Sequence, residues 1–313
     1  MGQANLTGHN ANRAVLLLLL AGLTWGGFYH VAKAVLNVID AFGMVLLRYG
    51  FTSLLFALML WRFEGWRSFR TDGEGSRLFL AGAIGFAAFN FLSFIGLTYS
   101  TPEHGTIIMA LMPMITASIN WFRTGVRPAA HTLASIGLAF AGVVLVITRG
   151  DFHNLLASKG AFGDLLLVGG ATCWVIYTLM AARFASWSPL RFTTLTTLSG
   201  AANVLVVVAV AFALGWTHLP SLEAVEKISW HLAYIVLFAS VAAVVAWNVG
   251  IRIIGPLNGV LFINLLPVSA FAIGVAQGKS FSTAEIAGAG LVIAALVANN
   301  VMSRYGARRL AVA

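Results

Sequence analysis

Apolar residues recur along this chain in ten long runs, at about 14–36, 41–61, 78–99, 104–122, 130–148, 161–182, 190–215, 230–253, 258–277 and 284–303. An α-helix rises 1.5 Å per residue, so about 20 apolar residues cross the hydrocarbon layer of a bilayer. Each run is expected to be a spanning helix. Polar or turn-like breaks connect them, among them Arg62 to Arg77, Thr101-Pro102-Glu103-His104, Arg123 to Pro128, Arg149 to Lys159 and Trp216 to Ser229. The first run follows Arg13 and passes through Thr24-Trp25-Gly26-Gly27-Phe28-Tyr29 with no small-residue cleavage pattern. It is expected to be an uncleaved helix and not a signal peptide.

Composition points the same way. Of 313 residues, 59% are hydrophobic and 9% charged, whereas soluble domains carry about 25% charged residues. Ten spans would use about 200 residues, leaving short loops and no separate soluble domain. The net charge of +9 reflects basic residues flanking apolar runs, where they orient helices, and not a nucleic-acid surface. With the N-terminus inside, thirteen Lys and Arg fall on the inner side and five on the outer, with Arg48 left within the second helix. Both termini are therefore expected in the cytoplasm. Cys173 is the single cysteine, which excludes an internal disulfide. The histidines show no metal-ligand spacing. No phosphate-binding Gly-x-x-x-x-Gly-Lys-Ser/Thr loop and no nucleophile or metal constellation appears, so neither a cofactor nor an enzymatic role is expected.

The chain also resembles itself. Shifted by 154 positions, Gly96, Pro102, Gly105 and Pro113 fall on Gly250, Pro256, Gly259 and Pro267. Near a shift of 149, Trp25 falls on Trp174 and Phe28 on Tyr177. Residues 1–150 and 151–313 thus read as two versions of one five-helix unit. Five is odd, so the second copy enters the membrane from the opposite side. The expected fold is all-α and integral to the membrane, ten transmembrane helices in two inverted repeats, a plan common among secondary transporters.

Several residues are candidates for a site. Trp25, Phe28 and Tyr29 share one helix face, as do Trp174, Tyr177 and Thr178; they serve either helix packing or an aromatic cavity wall. Phe86, Phe89, Asn90 and Ser93 repeat that spacing, and Trp247, Asn248, Asn258 and Asn264 add polar or aromatic tips. A side-chain amide in lipid must be hydrogen-bonded, so the asparagines act as interhelical glue or as cavity lining. Met109 and Met112 precede Pro113, and Asn264 precedes Pro267. Proline inside a helix removes a hydrogen bond and bends it, which makes Pro113 and Pro267 candidate gating points. Arg48 either snorkels, pairs with helix-end groups or meets a substrate carboxylate. His30 stands near the expected outer mouth, and His104 at a helix start is read as a cap or loop residue. All ten carboxylates fall at predicted loops or helix ends, Asp164 alone approaching a span interior. Without an embedded acid, downhill transport or exchange is the simplest mechanism, with His30 and Asp164 the open alternatives for coupling.

Arg48-Tyr49 in the second helix, and Gly96 to Tyr99 ahead of a short link into a proline-bearing helix, resemble the drug/metabolite transporter superfamily, EamA type. The likeness spans nearly the whole chain. Within that superfamily the chain is most similar to the YddG exporters of bacterial inner membranes, which export aromatic and other neutral amino acids. The resemblance implies a monomeric multi-pass transporter working by alternating access on amino acids or similar small metabolites, with drug or lipophilic-cation efflux as the alternative. It implies a central cavity lined by Trp25, Phe86, Phe89, Asn90, Met109, Met112, Trp174, Tyr177, Trp247 and Asn264. Phe86 and Phe89 stand where other members place polar aromatics, which argues against a narrow preference for aromatic substrates.

Overall fold

The structure, a computed structural model, describes residues 8–151, 159–184, 186–254, 262–263 and 265–312. Among them every regular element is helical. The helices are α1 (Gly8–Leu36), α2 (Ala41–Glu64), α3 (Gly75–Tyr99), α4 (Pro102–Ala110), α5 (Met112–Thr124), α6 (Ala130–Thr148), α7 (Lys159–Ala181), α8 (Pro189–Ala213), the short α9 (Leu222–Lys227), α10 (residues 229–254), α11 (Leu265–Ala276) and α12 (Thr283–Val312). Seven are long and apolar enough to cross a membrane, eight if α4 and α5 form one bent span; α11 and the apolar part of α12, Thr283–Asn299, are shorter. Large side chains such as Leu54, Phe63, Phe140, Leu165 and Leu205 stay exposed along them. Water would penalise such a surface, whereas lipid tails are its natural neighbours.

Helix ends follow local chemistry. Asp40 caps α2 by accepting from the Gly43 N–H at 2.7 Å. Ser188 caps α8, accepting from the Arg191 N–H at 3.0 Å, with Pro189 in the first turn. Ser282 and Glu285 form a reciprocal capping box on α12: the Ser282 N–H donates to Glu285 Oε2 at 2.8 Å and the Glu285 N–H to Ser282 Oγ at 3.2 Å. Pro113 lies in the first turn of α5, and α4 and α5 meet at a 42° bend just before it. The missing proline N–H and the ring's clash with the preceding turn account for that break. Pro267, its expected counterpart, is the third described residue of α11; the residue before Leu265 lies outside the described residues.

Two helices are interrupted by π-helical stretches, Ala83–Ala88 in α3 and Tyr234–Ala242 in α10. No feature of the residue pattern predicts them.

The chain divides into two compact units that do not follow the sequence halves. One gathers the described parts of 1–30, 102–157 and 238–313; the other gathers those of 31–101 and 158–237. Inside the first unit α6 packs along α12 and α4 against α11; inside the second, α3 packs on α7 and α8, and α2 on α8. Facing glycines set these contacts. A Cβ on Gly142 would stand 2.6 Å from the Gly288 carbonyl, and one on Gly288 2.5 Å from the Gly142 carbonyl. Gly96 and Gly163 are related in the same way, each 2.6 Å from the other's carbonyl. Lipid supplies no hydrophobic drive between helices, so close backbone approach through small residues carries the packing.

Gly142→Ala should lower the unfolding temperature in detergent, by an overpacking cost of about 1–3 kcal/mol. Gly137→Ala, on the same helix but with open space around its added Cβ, should leave stability unchanged or raise it by up to about 1 kcal/mol through helix propensity.

Candidate functional site

The aromatic candidates form two clusters, one inside each unit. In the second unit, the π-helical stretch of α3 carries Phe86, and the turn after it carries Phe89 and Asn90. Phe86 lies 5.1 Å from Tyr177 and 5.5 Å from Tyr49, both edge-on. Phe89 lies 5.0 Å and Tyr177 5.2 Å from Trp174. Glycine makes room for these rings: a Cβ on Gly85 would collide with the Tyr177 ring, and one on Gly200 would stand 2.5 Å from Phe86 Cβ. Phe86 and Tyr177 are buried, while Phe89 and Trp174 are half-buried above them. The Tyr177 hydroxyl is satisfied by Thr196 Oγ1 at 3.2 Å. The Trp174 indole N–H has no hydrogen-bond partner among the described residues.

Asn90 is fully buried, and its amide is committed. Its Oδ1 accepts from Arg48 Nη1 at 2.8 Å, and its Nδ2 donates to the Tyr49 hydroxyl at 2.8 Å and the Phe86 carbonyl at 2.7 Å. The Arg48 guanidinium also lies 5.4 Å from the centre of the Tyr49 ring and 5.7 Å from that of Phe94, within cation–π range. Asn90 thus holds Arg48 in place between α2 and α3.

In the first unit, Trp25 and Trp247 tilt against each other at 5.3 Å over a floor of Ala21, Ala243 and Ala246. Here the indole N–H is used: Trp25 Nε1 donates to the Ala239 carbonyl at 2.9 Å. Ala239 lies in the π-helical stretch of α10, and a π turn offsets its carbonyls from their usual donors. The two tryptophans aligned by the internal repeat therefore differ, one tied to backbone and the other open. Tyr29 turns to packing, its ring filling the space over Gly105. Met109 is buried on α4 and Met112 half-buried on α5. Pro256, Asn258, Gly259, Asn264 and the Asn248 side chain lie outside the described residues.

The sequence reading is corrected at its carboxylates. Glu103, placed there in a loop, belongs to the first turn of α4 and is only 1% exposed. It accepts from His30 Nε2 at 3.0 Å and from Lys279 Nζ at 2.9 Å. Glu285 is also buried, with Arg149 Nε at 3.2 Å and His104 Nε2 at 3.6 Å. His104 is a buried helix residue and not a loop residue. Asp164 is buried and accepts from the Ser100 hydroxyl. Two of these had a legible signal: Pro102-Glu103 is a helix-start pair, and Ser282-x-x-Glu285 spells a capping box. With buried acids present, the argument for downhill transport loses its premise.

Helices of this length and apolar surface define a multi-pass membrane protein. The comparison with known proteins makes this specific: the chain belongs to the EamA-like transporter family, matched twice, over residues 12–148 and 161–301. That places it in the drug/metabolite transporter superfamily and in a bacterial membrane. Among its relatives is the uncharacterized transporter YrdR of Bacillus subtilis, 33% identical over 92% of this chain and 91% of that one. Another is the uncharacterized transporter YyaM of the same organism, 30% identical over 89% and 90%. An uncharacterized transporter of Archaeoglobus fulgidus is 27% identical over 81% of this chain and 85% of that one. A solved crystal structure shares the fold at a TM-score of 0.64 and 18% identity, over 94% of this chain and 98% of the other.

Trp25→Phe keeps the ring but strands the Ala239 carbonyl, and should cost about 1–3 kcal/mol of stability. Trp174→Phe should cost none. Thermal unfolding of the two variants in detergent micelles checks the contrast.

Proposed function

We propose that this transporter exports amino acids, aromatic and other neutral ones, by alternating access. The half-buried Trp174, its N–H open and its ring flanked by Phe89 and Tyr177, carries the reading. Such a surface offers a stacking face for an apolar side chain and one directed donor for a carboxylate or carbonyl. Trp25, Trp247, Met109, Met112 and Asn264 are proposed as substrate contacts of the first unit, and within the second unit Phe86 and Asn90 support the Trp174 cluster. Arg48 is proposed as a structural anchor, because Asn90 and two rings already engage it.

Two inverted five-helix repeats, 1–150 and 151–313, remain our reading of the architecture. The double match to the family and the π-helical stretches in α3 and α10 support it. Those stretches stand 151 positions apart at their starts and 154 at their ends, close to the shift that aligns the repeats. We place both termini in the cytoplasm from the basic residues, and Pro113 and Pro267 at the pivots of the cycle. Efflux of lipophilic cations is the second reading, favoured by the buried Glu103 and Asp164. Against it, Glu103 already has Lys279 as its counter-charge.

Counterflow in liposomes holding only this protein tests the substrate. Uptake of phenylalanine and other neutral amino acids should be saturable and stereoselective. Trp174→Phe should raise the half-saturation concentration about tenfold, the worth of one directed hydrogen bond. Unchanged transport in Trp174→Ala would remove the proposed site.

A further inference from the structure

The end of α2 and the loop that follows it mix basic and aromatic side chains where an apolar helix leaves the membrane. From Trp61 the chain reads Trp-Arg-Phe-Glu-Gly-Trp-Arg-Ser-Phe-Arg. Trp61, Phe63 and Trp66 are exposed, Trp66 most of all at 74%, and the Trp66 ring lies 5.0 Å from that of Phe69. α2 is long and apolar enough to span, so its last turn stands at the boundary between hydrocarbon and water. Aromatic rings collect at that boundary.

This loop has a fixed shape. Gly65 ends α2 with φ +79°, its N–H donating to the Leu60 and Trp61 carbonyls at 3.1 Å, a turn in which a side chain would be strained. A 3₁₀ turn, Trp66–Phe69, follows. Arg191, near the start of α8, holds the loop from the neighbouring helix. Its Nε donates to the Ser68 carbonyl at 3.0 Å, and its Nη2 to the Arg70 carbonyl and to Asp72 Oδ2, both at 2.6 Å. The guanidinium also lies 3.9 Å from the centre of the Trp187 ring, in cation–π contact. The loop after α5 carries a similar set, Trp121, Phe122, Arg123 and Arg127. Among the described residues, however, its hydrogen bonds stay within its own turn.

Charge on the loop is unbalanced. Asp72 is paired with Arg191 at 2.6 Å and Glu74 with Arg77 at 2.7 Å. Arg62, Arg67 and Arg70 are exposed, and their side chains make no ion pair or hydrogen bond among the described residues. One carboxylate, Glu64, stands against the three, and its Oε1 already accepts from Ser188 Oγ at 2.6 Å. Arginines on a fixed turn, with exposed rings among them, match a phosphate diester at the depth of lipid headgroups. Orienting the helix would need only the charges, not the hold of Arg191 on the loop. A soluble acidic partner would match the charge, but Trp61 and Phe63 belong to the last turn of a helix already in lipid.

We propose that residues 61–70 form a binding site for an anionic phospholipid. Arg62, Arg67 and Arg70 engage its headgroup phosphate, Trp66 lies among the neighbouring headgroups, and Arg191 is the positioning residue that fixes the loop. A basic side chain near an anionic lipid surface gains about fivefold in affinity, so Arg67 and Arg70 together account for roughly twentyfold. The site selects a headgroup by charge and is independent of what the protein transports.

The test titrates tail-labelled phosphatidylglycerol and phosphatidylcholine, with matched acyl chains, into the full chain in neutral detergent micelles. Energy transfer from the protein's tryptophans reads the tightest-bound lipid. Wild type should bind phosphatidylglycerol at least about tenfold tighter at about 0.05 M salt, and about 0.5 M salt should remove most of that preference. Arg67→Gln with Arg70→Gln should weaken phosphatidylglycerol binding roughly twentyfold and leave phosphatidylcholine within about twofold. The same charge removed elsewhere, Arg123→Gln with Arg127→Gln, should change either by less than about threefold. Arg191→Lys keeps the charge but loses the planar fork that reaches three acceptors, and should weaken phosphatidylglycerol binding about threefold or more. No preference in wild type, or one indifferent to salt, overturns the site. Equal losses in the two double variants overturn its location, and unchanged binding in Arg191→Lys overturns the positioning role. Inorganic phosphate displacing the labelled lipid as well as unlabelled phosphatidylglycerol does, at equal phosphate concentration, overturns the lipid reading in favour of a free anion.

Discussion

A polar group carried into hydrocarbon can bond only to the protein that carried it. Much of this molecule's internal order follows from that constraint. Helix backbones satisfy themselves, but side chains and π turns do not. Many such debts are settled by a partner at a fixed place. Asn90 receives Arg48 and gives to Tyr49 and Phe86. Trp25 meets a carbonyl of the π stretch in α10. Lys33 donates to the carbonyls of Thr98 and Ser100 at 3.0 and 2.9 Å, closing the end of α3. Trp174, half-buried, keeps an N–H in reserve, and the exporter reading is built on that donor.

Much of the fold was legible because membrane insertion is a one-dimensional problem. Most of the apolar runs mark where helices lie, and 130–148 coincides with α6, whereas 104–122 is divided between α4 and α5 and α12 continues past 284–303 to Val312. Pro113 announced the bend between α4 and α5. The division into units was not legible, since it joins stretches far apart in sequence. Nor were the π stretches, which depend on how a helix settles against its neighbours.

The candidate site was half legible. Spacing brought Trp174 and Tyr177 to one face, and the structure adds Phe86 and Phe89 to them. Spacing could not show that Asn90 has no group to spare. Acids were misjudged for a physical reason. A carboxylate at the end of an apolar run reads as a surface group, yet Glu103 is drawn inward by His30 on α1 and Lys279 after α11, partners that only folding brings near.

The glycine pairs at Gly96–Gly163 and Gly142–Gly288 carry a consequence for how such a chain can diverge. At most buried contacts a larger residue on one side is tolerated if its neighbour shrinks. Here both partners are already the smallest residue available, and each one's vacancy is filled by the other's main chain. No reciprocal exchange exists, so these four positions have no route by which to drift one at a time.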